Sequence, residues 1–159
     1  MPFPISHKGE LRFICDDVAV TEDRVAEGIA AWLKERGGSW IRCVGNEVRF
    51  RGGFMIWPRW WTVLRLVSGG VIVVRREHPA IVIEYRIFMY ENAVACAGAL
   101  VFWNTMTILH SRLTFGMELG MFLLCLLVLA MGYLPAVIFF PGSLRRAAPR
   151  VLQQARVGK

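Results

Sequence analysis

Charge is scarce in this sequence. Asp, Glu, Lys and Arg make up 19% of its 159 residues, while 55% are hydrophobic. Soluble domains average about 25% charged and about 45–50% apolar. This balance excludes disorder, collagen and coiled coil, and it makes a membrane protein the expectation. Chemical signatures are missing too. There is no Gly-rich phosphate loop, no GxSxG, no HExxH and no paired His/Cys cluster, so nothing marks a nucleotide cradle, a nucleophile elbow or a zinc-protease helix. An enzyme is not expected. Cys15, Cys43, Cys96 and Cys125 form no CxxC pair, and they read as reduced structural thiols, because zinc sites need closely spaced ligands. The opening MPFPISHKGE has no apolar core, which predicts no secretory signal peptide. There is no internal repeat, and no Gly/Ser- or Pro-rich linker separates one region from the next.

What is present is unevenly distributed. Residues 1–91 hold 13 Lys/Arg against 11 Asp/Glu, residues 92–140 hold only Arg112 and Glu118, and residues 141–159 hold five basic residues and no acid. The net charge of +7 therefore comes from a weakly basic first region, a neutral apolar middle and a short basic end. The stretch 119–140 is 22 residues without a charge, including seven Leu, three Phe, two Val and one Ile. On an insertion scale those side chains favour a membrane by about 4–8 kcal/mol. The stretch 93–109 is shorter and carries Asn104, Thr105 and Thr107; the same scale gives it about 2–4 kcal/mol. Two membrane spans, at about 93–109 and 116–140, are predicted as an antiparallel hairpin, and a buried-core helix pair is the rival reading. The basic end places both termini in the cytoplasm of a bacterial cell, in a multi-pass inner-membrane arrangement. Two helices enclose no pore, so a channel is not expected.

Residues 1–91 predict an α+β domain. Thr21 is a good N-cap, followed by Glu22 and Asp23, and Val25, Ile29, Trp32 and Leu33 form one apolar helical stripe ended by Gly37-Gly38. A strand at 11–15 precedes this helix. Strands at 40–44 and 48–50 flank a Gly45-Asn46 hairpin signal. Strands at 63–67, 71–75 and 80–89 follow, punctuated by Ser68-Gly69-Gly70 and His78-Pro79. The inward face of 80–89 is left open by its mixed periodicity. The fold class expected is thus an α+β membrane protein. A small β-α-β-meander cytoplasmic domain (1–91) precedes a transmembrane helical hairpin (92–140), and a short amphipathic basic tail (141–159) ends the chain.

Three motifs carry a resemblance: Val48-Arg49-Phe50-Arg51-Gly52 at a strand end, Trp60-Trp61 in a loop, and Val67-Ser68-Gly69-Gly70-Val71-Ile72 at a turn. The chain resembles a group of uncharacterised small bacterial membrane proteins that share these pieces, an N-terminal helix and a two-helix hairpin. The resemblance spans most of residues 22–140 and implies the fold without any activity.

The candidate contact residues are of three kinds. Trp57, Arg59, Trp60 and Trp61 lie within five residues, a composition suited to a membrane interface or a protein contact, with ordinary core packing as the alternative. Nucleic acid is not an expected partner, because the region has no broad basic surface. Arg145, Arg146 and Arg150 sit in the tail, where Leu144, Ala148, Val151, Leu152 and Ala155 share a helical face; this predicts an interfacial segment resting on anionic lipid or docked on a partner, with Pro149 splitting it. Gly116 and Gly120, and Ala95 and Ala99, are spaced by four and suit close helix packing, within the hairpin or with another subunit. No cofactor is expected. His110 is the candidate ligand for a haem or pigment metal and otherwise a polar anchor, and bound lipid is the remaining candidate. Asn104 is expected to hydrogen-bond across to the partner helix, and Glu118 to be solvated or paired with Arg112. The functional expectation is a non-catalytic accessory subunit stabilising a larger integral-membrane complex, of respiratory or photosynthetic type, with other integral-membrane subunits as partners. The alternative is a membrane-tethered lipid- or ligand-binding regulatory module.

Overall fold

A computed structural model describes residues 6–15, 17, 20–52, 67–110 and 115–157. It contains β1 (Ser6–Ile14), α1 (Glu22–Glu35), β2 (Ser39–Val44), β3 (Glu47–Arg51), β4 (Gly69–Glu77), β5 (Ala80–Phe88), α2 (Tyr90–His110) and α3 (Phe115–Val157). The strands form one antiparallel sheet in the order β1-β5-β4-β3-β2. The meander β2-β3-β4-β5 follows the chain, and α1 carries it from one edge to the other.

Local chemistry accounts for most of these elements. Thr21 precedes α1 in an extended conformation, with Glu22 and Asp23 in the first turn, where their charge favours the helix dipole. Gly45 adopts φ +56° in the two-residue β2–β3 turn, a conformation that costs glycine little. Asn46 secures that turn by donating its side-chain amide to the Val74 carbonyl at 2.9 Å. The Val67-Ser68-Gly69-Gly70 motif also acquires a physical role. Ser68 is buried, and its hydroxyl oxygen accepts the Glu91 N–H at 3.0 Å, so it serves an otherwise unbonded amide at the start of α2. The strand expected at 63–67 lies almost wholly outside the described residues.

The core lies on one face of the sheet. Val48, Phe50, Ile72, Val74, Ile81, Ile83, Tyr85 and Ile87 point to it from the strands, and α1 contributes Val25, Ala26, Ile29 and Leu33. This settles the inward face of β5 as Ile81, Ile83, Tyr85 and Ile87. Its periodicity is mixed because Val82 is buried on the opposite face.

The third layer is the main departure from the sequence expectation. Residues 141–157 are not a separate tail but the C-terminal part of the 43-residue α3, which runs through Pro135, Pro141 and Pro149 without a break. Ala136, Phe140, Leu144, Ala148, Val151 and Ala155 belong to the same buried cluster as the sheet and α1. Phe140 is fully buried, with its ring 6.0 Å from Phe50 and 5.6 Å from Tyr85. The face expected to rest on lipid is therefore spent inside the protein. Gly28 shows how closely α3 approaches α1: a Cβ there would lie 2.6 Å from Val151 Cγ1. A glycine inside a helix costs about 1 kcal/mol relative to alanine, and this close approach is its physical reason.

The membrane-spanning hairpin is overturned: among the described residues, no helix is long and apolar enough to cross a membrane. Both stretches are helical, as α2 and α3, but neither serves as a span. The C-terminal end of the expected second span, at Ala136 and Phe140, is seated in the domain core. Only residues 119–135 remain, about 25 Å of helix at 1.5 Å per residue, short of a hydrocarbon layer of about 30 Å. The first stretch is diluted by Asn104, Thr105 and Thr107 and falls below the roughly 20 apolar residues a span needs. The transmembrane fold class, and the multi-pass inner-membrane location with cytoplasmic termini, fall with the spans.

The loop before α1 is tied down by one side chain. Arg76 donates to the Val20 carbonyl at 3.0 Å and to the Asp17 carbonyl at 3.1 Å, and its own N–H donates to Glu22 Oε1 at 2.6 Å. Arg156 near the end of α3 reaches Asp17 Oδ2 at 3.4 Å. Hydrogen bonds involving a charged group are worth about 1.5–3 kcal/mol each. Arg76→Met is expected to lower stability by about 2–4 kcal/mol on that basis, with α1 gaining amide exchange before the sheet does. Hydrogen exchange followed residue by residue checks this, and uniform protection in the variant would contradict it.

Candidate functional site

Two surfaces of the described residues are chemically unusual. The first is the arm formed by α2 and residues 115–135 of α3. Leu119, Phe122, Leu123, Leu124, Leu126 and Leu127 are all about half exposed, and Val94, Val101 and Phe102 of α2 are more exposed still. On α3 these positions spread over roughly 200° of the helix circumference at 3.6 residues per turn. An ordinary amphipathic helix shows an apolar stripe of about 100°. The two helices meet at Cys96 and Cys125, both buried. Cys96 Sγ lies 3.7 Å from the Cys125 carbonyl, and Cys125 Sγ lies 4.0 Å from that of Cys96. Burial, reinforced by Cys125, holds the Cys96 thiol above its ordinary range, which suppresses its thiolate and its reactivity.

Two of the small-residue positions lie on the exposed side of their helices. Ala99 is exposed, and a Cβ at Gly120 would meet open space, so neither lies in the α2–α3 contact. The surroundings of Gly116 and the Ala95, His110 and Glu118 side chains lie outside what the structure describes, as do residues Trp57, Arg59, Trp60, Trp61 and Arg112. Asn104 donates to the Leu100 carbonyl of its own helix at 2.8 Å, and Thr105 does the same to Val101 at 2.9 Å; the expected bond from Asn104 to the neighbouring helix is replaced by this internal one. Arg145, Arg146 and Arg150 are exposed on α3, on the side away from its buried face.

The second surface is the sheet face that α1 and α3 leave open, which sequence reasoning missed. Strand register sorts its charges into rows. Lys8 pairs with Arg86, Arg86 with Val71, and Val71 with Arg49. Two residues along, Glu10 pairs with Glu84, Glu84 with Val73, and Val73 with Glu47. The acidic row is neutralised by Arg12 on Glu10, Arg49 on Glu47, and Arg75 on Glu84 at 3.2 Å. Together these strands line a concavity of about 570 Å³, with Val71, Val73 and Phe88 in its wall. The sequence signals of this face are polar alternations, Lys8-x-Glu10-x-Arg12 in β1, Glu47-x-Arg49 in β3 and Glu84-x-Arg86 in β5, none of which says what lies opposite. Among the described residues, no group of three His, Cys, Asp or Glu is placed to hold a metal ion.

No protein-family model matches the chain, and no curated protein or solved structure matches it either.

Proposed function

We propose that this chain is a non-catalytic accessory subunit that buries its α2–α3 arm among apolar helices of a larger assembly and leaves the α+β domain as a brace at the surface. The observation that supports this reading is the width of the exposed apolar sector on α3. A monomer that functions alone rarely exposes a contiguous apolar patch beyond a few hundred Å², and a helix apolar on most sides belongs in the interior of something larger. A two-fold contact with a second copy covers one stripe per helix and leaves the rest of the sector wet. Enclosure by several helices covers it all.

The test is mild extraction from the native source with chemical cross-linking, followed by identification of what remains bound at fixed stoichiometry. A partner of constant ratio is the expected result, and it is lost in a Leu123→Glu, Leu127→Glu variant. Both positions are exposed, so the variant's melting should differ from wild type by no more than about 0.5 kcal/mol per site. A protein that purifies as a stable monomer with nothing bound would sink the proposal. Binding to lipid vesicles without any protein partner would move the reading to a lipid-binding module.

A further inference from the structure

The open sheet face carries a feature that the arm does not explain. Lys8 and Arg86 sit directly opposite each other on β1 and β5, a like-charge pairing that destabilises a sheet. The three acids beside them are engaged by Arg12, Arg49 and Arg75. Among the described residues, neither Lys8 nor Arg86 has a carboxylate partner. The Arg86 Nε is buried and makes no hydrogen bond, although a buried donor left unmade is costly. The guanidinium lies over the Phe88 ring, 5.2 Å from its centroid, which orients it along the face of the sheet.

We propose that this concavity binds a small organic oxyanion, a phosphate or carboxylate carrying an apolar body. Arg86 receives the anionic group in a forked contact, with Lys8 as the second cation. Val71, Val73 and Phe88 form the floor for the apolar part. The volume of about 570 Å³ falls within the range of small-molecule sites, about 300–1,000 Å³. The acidic row lies one pleat repeat away, about 7 Å along the strands, and disfavours a ligand with a second negative charge on that side. The site is independent of the arm, so either proposal can fail without the other.

The experiment titrates phenyl phosphate and inorganic phosphate into the full-length protein, followed by calorimetry and by amide shifts on β1 and β5. Phenyl phosphate is expected to bind more tightly than inorganic phosphate, a difference that Phe88→Ala removes. Arg86→Met is expected to weaken phenyl phosphate binding by about ten-fold or more, the scale of one lost charged hydrogen bond, and Arg86→Lys by less. Lys8→Met is expected to weaken it by a smaller factor, and Arg42→Met to leave it unchanged. A second readout separates binding from folding. With its buried Nε relieved, Arg86→Met should melt no lower than wild type in the absence of ligand. Absence of binding by wild type, binding unaffected by Arg86→Met, or an Arg86→Met protein that loses its fold would each overturn the proposal.

Discussion

Removal of residues 141–159 is expected to unfold the α+β domain rather than merely detach a surface tail. The segment contributes Leu144, Ala147, Ala148, Val151 and Ala155 to the buried set, with Leu152 packed against it. Full burial of an aliphatic side chain is worth about 1.5–3 kcal/mol, so Leu144 and Val151 alone account for about 3–6 kcal/mol. A domain's total stability is about 5–15 kcal/mol. The truncation also uncovers α1, whose Gly28 has no side chain with which to close the space left by Val151. Circular dichroism and thermal melting of the truncated chain check this. A cooperative transition at the wild-type temperature would show that the segment is dispensable and lies outside the core. Substitution of Arg145, Arg146 and Arg150 by Gln should by contrast leave the transition nearly in place, because all three are exposed.

Phe140→Ala is the largest expected single-residue effect. The ring is fully buried between Phe50 and Tyr85, at the point where α3 meets the sheet. Large-to-small changes of buried aromatics cost about 3–5 kcal/mol through lost transfer energy and the cavity left behind. The neighbours are poorly placed to collapse into that space. Phe50 is held over Gly70, where a Cβ would lie 2.8 Å from its ring. Tyr85 is held over Gly9, where a Cβ would overlap its phenol. Phe140→Leu is expected to cost less than half as much, since it retains most of the apolar volume. Urea denaturation measures both, and equal midpoints for Phe140→Ala and wild type would contradict the assignment of Phe140 to the core.

Several elements were legible because their causes are local. The start of α1 follows an extended Thr21, which makes no side-chain capping hydrogen bond, and carries Glu22 and Asp23 in its first turn; its inner face follows a 3.6-residue period, and the β2–β3 hairpin turns at Gly45-Asn46. The extension of β1 back to Ser6 was not legible, because it depends on pairing with β5 across the whole of the intervening chain. The open-face cations were hidden for the same reason: Lys8 and Arg86 are neighbours only in the register of the sheet.

The sequence by itself determined α1 with its apolar stripe, the β2–β3 hairpin and the helical character of the two apolar stretches. These follow from caps, turns and periodicity, which act within a few residues. What covers each apolar face was decided by tertiary structure alone. An apolar stripe demands removal from water but does not name the surface that removes it. For residues 141–157 that surface is α1 and the sheet, which also takes the end of the stretch expected to be a membrane span. Along residues 119–134 the described fold supplies the contact with α2 at Cys96 and Cys125 and the packing of Tyr133 against the core, while Leu119, Phe122, Leu123, Leu124, Leu126 and Leu127 stay about half exposed.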